Sequence, residues 1–168
     1  VAIGECITWS IGFRAPGRQE MAQRFLDFLH DQLQFDGGYC DPGLQPQRQP
    51  AAISGAMLRK VRAMVNAIHW SEADILRCLG EYLTEPRPNI VFNSADRLSA
   101  RQFARFAATR GVKLALKSRM LFRGRRIFIN GESVVAGASA RPALRRLANK
   151  RELPPAIRVD NATRDLLY

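Results

Sequence analysis

"KLALKSRMLFRGRRIFINGESVV", residues 113–135, is the stretch on which the fold turns. Its composition favours extended chain throughout, with Leu, Met, Phe, Ile and Val set between basic residues. Arg123-Gly124 and Asn130-Gly131 punctuate it as turns. The second pair is a strong hairpin dipeptide, since both residues tolerate positive φ. Upstream, Ser99 to about Thr109 reads as an amphipathic helix carrying Phe103 and Phe106, closed by Gly111 as a C-cap. Downstream, "RPALRRLA" (141–148) gives another helix, with Ser139 as its candidate cap. Helix, twisted hairpin and helix on a basic background predict a winged-helix-like arrangement.

Charge sharpens that reading. The chain of 168 residues carries a net charge of +11, unevenly placed. Residues 1–94 hold 9 Lys/Arg and 10 Asp/Glu, a net of −1, whereas residues 95–168 hold 17 and 5, a net of +12. Lys113, Lys117, Arg119, Arg123, Arg125 and Arg126 crowd the hairpin. Such a wing suits an anionic partner, most obviously RNA or a ribonucleoprotein surface, bound through phosphates and weakened by salt. A basic, solvated face with no specific partner fits the same composition. Aromatic residues do not interleave with the cations, so base stacking has little support.

Toward the N-terminus the pattern changes. Val1 to Phe13 favours strand, with Ile7, Trp9 and Ile11 on one face and Thr8, Ser10 and Gly12 on the other. That alternation suits a barrel wall lining a pocket, and equally an antiparallel strand with one wet face. Ala15-Pro16-Gly17 breaks it. A helix follows from Arg18 to about Leu33, its stripe being Met21, Phe25, Phe28, Leu29 and Leu33. "GGYCDPGLQPQRQP" (37–50) is loop. A second helix spans Ser54 to Ile68, with Met57, Val61, Met64, Val65 and Ile68 predicted to face inward. Ser71-Glu-Ala-Asp74 is a capping box opening a third helix to Tyr82, with Ile75, Leu76 and Leu79 predicted buried. Wide apolar stripes on short helices need covering, and a second subunit is one source of cover. "TEPRPNIVF" (84–92) opens a linker.

The apolar share of 46% supports a globular core rather than disorder. No apolar run reaches the roughly 18 residues of a membrane span, and no secretory leader is expected. The opening Val1 in place of Met leaves room for processing or truncation. Cys6, Cys40 and Cys78 are scattered and odd in number, which predicts reduced thiols in a cytoplasmic compartment. His30 and His69 stand far apart and away from any acidic metal pattern. The acids Glu72, Asp74, Asp31 and Asp36 read as solvated positions without basic partners. There is no phosphate-binding glycine loop, dinucleotide fingerprint, nucleophile elbow or zinc-protease helix. These features alone do not describe an enzyme.

A resemblance adds to this. Ser10-Ile-Gly-Phe-Arg-Ala-Pro16 within "TWSIGFRAP", then Tyr39-Cys-Asp-Pro42, "LGEYLTEPRPNIVF" (79–92), Asn130-Gly-Glu132 and Arg141-Pro-Ala-Leu144 follow one another. Together they make the chain similar to the C-terminal part of the bacterial ribosomal oxygenases of the JmjC/cupin class. Those are Fe(II)- and 2-oxoglutarate-dependent hydroxylases of an arginine in a large-subunit ribosomal protein. The resemblance implies an α+β chain in three parts. Residues 1–16 would be the last strand of a double-stranded β-helix barrel whose remainder is absent. Residues 17–93 would be a helical dimerisation region, making the protein a homodimer, and 94–168 the winged-helix-like basic domain.

It further implies that Thr8 and Ser10 face the cosubstrate and substrate pocket, with Arg14 at the strand's exit. A structural role is equally open at each. The family's His-x-Asp pair, distant second His and 2-oxoglutarate-binding basic residue cannot be placed on this sequence. A facial triad needs three protein ligands, so the chain alone is predicted to be inactive and to bind neither cofactor. A stand-alone nucleic-acid-binding module and a purely structural dimer are the alternative readings.

Overall fold

A computed structural model describes residues 15–34, 46, 48–92 and 98–155. The chain divides into two units, Val1–Tyr39 and Cys40–Tyr168.

In the first unit α1 runs from Arg18 to Gln32, as the apolar spacing predicts. Pro16 and Gly17 precede it, and Gly17 supplies no side-chain cap. Gln23 donates to Asp27 one turn on at 2.9 Å. The Phe25 and Phe28 rings stack 6.2 Å apart. No residue of α1 is buried. The opening strand, with Thr8, Ser10 and Arg14, lies outside the described residues, as do Cys6 and Cys40.

The second unit begins with α2, Gly55–Asn66, capped by the Ser54 hydroxyl, which accepts from the Met57 amide at 3.0 Å. None of its residues is buried. Here the sequence expectation fails: Met57, Val61, Met64 and Val65 are exposed rather than inward-facing, Val65 by 58%. Their stripe is amphipathic, but none of the described elements of this unit buries it.

Next, α3 (Glu72–Thr84) starts with the predicted capping box. Asp74 accepts from the Ser71 amide at 2.8 Å, and the Ser71 hydroxyl accepts from the Asp74 amide at 3.3 Å. The buried residues of α3 are Cys78, Gly80 and Thr84, not Ile75, Leu76 and Leu79. Ile75 is exposed. The small side of the helix turns inward, with Gly80 against the Phe128 ring.

The expected winged-helix half is present, with one more strand than a hairpin. Following α4 (Ala100–Arg110), β1 (Val112–Lys113) pairs antiparallel with β5 (Glu152–Leu153). Strands β2 (Met120–Arg123), β3 (Arg126–Ile129) and β4 (Glu132–Val135) form an antiparallel meander. Both connections are two-residue turns. Gly124 takes φ +59, and Asn130 and Gly131 take +50 and +90. The second turn therefore has both central residues in the left-handed region, as a type I′ turn requires. Residues 114–119 are not strand. They form a loop held by Arg151, whose guanidinium donates to the carbonyls of Ala115 and Ser118 at 2.8 and 3.2 Å.

Side chains alternate across the meander. Met120, Phe122, Ile127 and Ile129 share one face and pack with Ala143, Leu144 and Leu147 of α5 (Arg141–Lys150) and with Leu153. Ile127 and Leu147 are fully shielded from solvent. Each such burial stabilises by about 1.5–3 kcal/mol. The cap of α5 is Ala140, which makes no side-chain cap bond, so Ser139 does not play the predicted role.

Phe128 points to the opposite face, where α3 lies. A Cβ on Gly80 would overlap the Phe128 ring, so glycine is what lets helix and sheet close. The Thr84 hydroxyl donates to the Gly80 carbonyl at 2.8 Å and accepts from the Gly131 amide at 3.1 Å. Ser133 donates to Glu81 at 2.7 Å. The sheet is thus a middle layer between α3 and α5. No described helix is long and apolar enough to cross a membrane.

Candidate nucleic-acid interface

The six predicted basic residues do not converge. Two-residue turns at opposite ends of the meander separate them, and three strand steps span about 10 Å. Arg119 lies at the far end, its amide donating to the Asn130 side chain at 3.1 Å. Lys117 donates to the Val91 carbonyl at 3.2 Å. Lys113 sits in the other sheet, opposite Glu152. Only Arg123, Arg125 and Arg126 gather, around the β2–β3 turn.

The turn itself is well held. Arg123 and Arg126 face each other across it, and the Arg125 carbonyl accepts from the Ala136 amide at 2.8 Å. Arg123 and Arg125 are exposed and Arg126 is half-buried. A fourth arginine joins them from α5. Arg145 stacks its guanidinium over the Phe122 ring at 5.1 Å and donates to the Gly124 carbonyl at 3.4 Å. Arg145 is not among the residues predicted from sequence, because its position depends on how α5 crosses the sheet. The Arg145-Arg146 pair flanked by buried Leu144 and Leu147 was the available signal.

Among the described residues one carboxylate approaches this group: Glu72 lies 3.9 Å from Arg123, both largely exposed. Glu72 is therefore not the partnerless acid that the sequence suggested. A contact this long and this wet neutralises little. Asp74 also has a partner, in the capping box. Hydrogen bonds from the Ser71 side chain and then its backbone hold the Asp74 carboxyl below the usual carboxylate range.

Among the described residues, no other feature offers a catalytic constellation. An open groove of about 390 Å³ between α4 and β1 is lined by Leu98, Phe103, Phe106 and Val112, with Arg110 and Lys113. It brings apolar surface and two cations together, without a nucleophile or a general base. Among the described residues no three His, Cys, Asp or Glu side chains are grouped to hold a metal. Cys78 is buried and is not part of a disulfide.

Comparison with known proteins fits this architecture. Residues 67–167 match the family described as ROXA-like winged helix. Over 86 residues the chain is 26% identical to the ribosomal protein uL16 3-hydroxylase of Escherichia coli K12, covering 51% of this chain and 23% of that protein. An X-ray structure of E. coli YcfD superposes with a TM-score of 0.62 at 24% identity, covering 94% of this chain and 43% of that one. The E. coli ribosomal oxygenase YcfD in complex with cobalt and 2-oxoglutarate gives 0.57 at 23% identity, covering 92% and 43%. The chain thus spans less than half the length of these relatives. The likeness bears out the resemblance to the C-terminal part of a ribosomal oxygenase. By its sequence from residue 67 onward, the chain belongs to the ROXA-like winged-helix family.

Proposed function

We propose that this chain serves as the dimerisation and winged-helix part of an Fe(II)- and 2-oxoglutarate-dependent oxygenase that hydroxylates an arginine of a ribosomal protein in the cytoplasm. The family match carries the reading. The relative that is a uL16 3-hydroxylase supports the substrate class, and the YcfD complex with cobalt and 2-oxoglutarate supports the cofactors. Residues 1–16 close a JmjC/cupin barrel, with Thr8, Ser10 and Arg14 on its pocket side. Residues 17–93 pair two subunits, and residues 94–168 form the basic domain, which turns toward RNA.

The described residues do not fit an iron centre, since no three ligand-type side chains gather. No step through the metal is therefore assigned to them. Their work is mechanical and electrostatic. Pairing is supported by α2, whose Met57, Leu58, Val61, Met64 and Val65 are all exposed. Apolar area of that extent is stabilised when covered, at about 25 cal/mol per Å². Winged-helix positioning is supported by α3, which is seated on the meander through Gly80, Thr84 and Glu81.

Size exclusion with light scattering tests the pairing. Twice the chain mass is expected, and Val61→Glu with Val65→Glu should yield monomer. A wild-type monomer at tens of micromolar would refute this part. The hydroxylase reading is tested on the gene that encodes the chain. An upstream segment with His-x-Asp and a distal His is expected. Its product should add one oxygen atom to a ribosomal-protein arginine, read by mass spectrometry.

A further inference from the structure

We propose that the β2–β3 turn, with Arg123, Arg125, Arg126 and Arg145, is a docking point for the phosphate backbone of double-stranded RNA. This rests on the reading above that the basic half turns toward RNA, and it says which residues do so. Four arginines flank one two-residue turn: Arg125 within it, Arg123 and Arg126 paired across it on the α3 side, and Arg145 reaching its Gly124 carbonyl from the α5 side. Among the described residues only Glu72 opposes them, at 3.9 Å from Arg123. The one acid of the meander lies elsewhere: Glu132 begins β4 at the opposite turn. Charge is therefore polarised along the sheet, with its positive end at the tip.

The tip is also pre-organised. Positive φ at Gly124 and the Ala136–Arg125 backbone bond fix the turn. Arg145 is held by a ring and a carbonyl, so less side-chain entropy is lost when it meets an anion. Arginine forks match phosphate oxygens in pairs. Among the described residues the aromatic ring beside the tip is Phe122, and Arg145 already covers one of its faces, so it competes with a base for stacking there. Single-strand binders rely on such faces, whereas duplex RNA is held through backbone and shape. Those two facts select a duplex backbone over an unpaired strand.

The test is fluorescence anisotropy of the whole chain with a short RNA duplex across a salt series. Each phosphate contact contributes about 0.9 to the slope of log affinity against log salt. Arg125→Gln with Arg126→Gln should lower the slope by about 2 and weaken binding roughly tenfold or more at moderate salt. Arg125→Glu, on an exposed turn residue, should weaken it at least as much as Arg125→Gln while leaving the circular dichroism spectrum unchanged. Lys117→Gln with Arg119→Gln, at the far end, should change affinity by less than about twofold.

A DNA duplex should bind comparably, because phosphates carry the contact. If no duplex binds even at low salt, the RNA-facing reading itself fails. If RNA binds but the far-end pair weakens it more than the tip pair, that reading stands and the docking point is wrong. Tighter binding of single-stranded RNA, or equal binding of polyglutamate, would also overturn the proposal, the latter in favour of an acidic protein partner.

Discussion

Helices α2 and α3 are nearly the same length, both are opened by a serine cap, and both carry an apolar stripe. Their fates differ. The stripe of α2 remains exposed, while α3 presses against the meander and buries Cys78, Gly80 and Thr84. The difference teaches that an apolar stripe does not by itself say which face of a helix is covered. On α3 the covered side was chosen by the Phe128 ring, which needs a residue with no side chain opposite it. The large residues Ile75 and Leu83 are left on the exposed side. On α2 no residue is buried, and Met57, Val61, Met64 and Val65 stay exposed along its stripe.

Perturbing the two helices should have opposite consequences. Glutamates at Val61 and Val65 should abolish pairing and leave the melting of the winged-helix half intact. Gly80→Ala should do the reverse. It gains about 1 kcal/mol of helix propensity. It loses more by overpacking, which costs about 1–3 kcal/mol and rises when the obstacle is a fixed ring. A net destabilisation of about 1–2 kcal/mol is expected in urea unfolding, relieved by adding Phe128→Leu. A stabilised Gly80→Ala protein would mean that helix and sheet are not closed on each other.

A smaller effect is expected at Thr84. Thr84→Val keeps the shape but leaves the Gly131 amide without its acceptor, at a cost of about 1–2 kcal/mol. The smallest lies at the start of α3. The folded Asp74 carboxyl holds its proton less tightly than the unfolded one, first through the Ser71 side chain. Its contribution is therefore fully present above the unfolded value of about 4 and disappears as pH falls through the lower folded value. Asp74→Asn should flatten the acid limb of melting temperature against pH, measured between neutral pH and strong acid.

Much of this architecture was legible in the chain because local chemistry dictates it. The serine caps at Ser54, Ser71 and Ser99, the glycine at Gly111 and the turns at Gly124 and Asn130-Gly131 each satisfy or bend backbone within a few residues. What could not be read depends on contacts distant in sequence. Arg151 interrupts a stretch of strand-like composition by binding Ala115 and Ser118, more than thirty residues upstream. Phe128 selects the buried side of α3 from nearly fifty residues away. Arg145 reaches Gly124 only because α5 crosses the sheet where it does. Charge density along the chain likewise marked the basic half but not its focus, since turns rather than sequence neighbours decide which arginines meet.

Hydrogen exchange as a function of protein concentration tests most directly the contrast between a half that completes its own core and a helix that waits for cover. Amides of β3 and α5 should be protected equally at submicromolar and at tens of micromolar protein, because α3 and α5 cover both faces of the meander within one chain. Amides of α2 should be protected only at the higher concentration, when a second copy shields Val61 and Val65. Protection of α2 that does not change with concentration, or protection of β3 that does, would contradict the account.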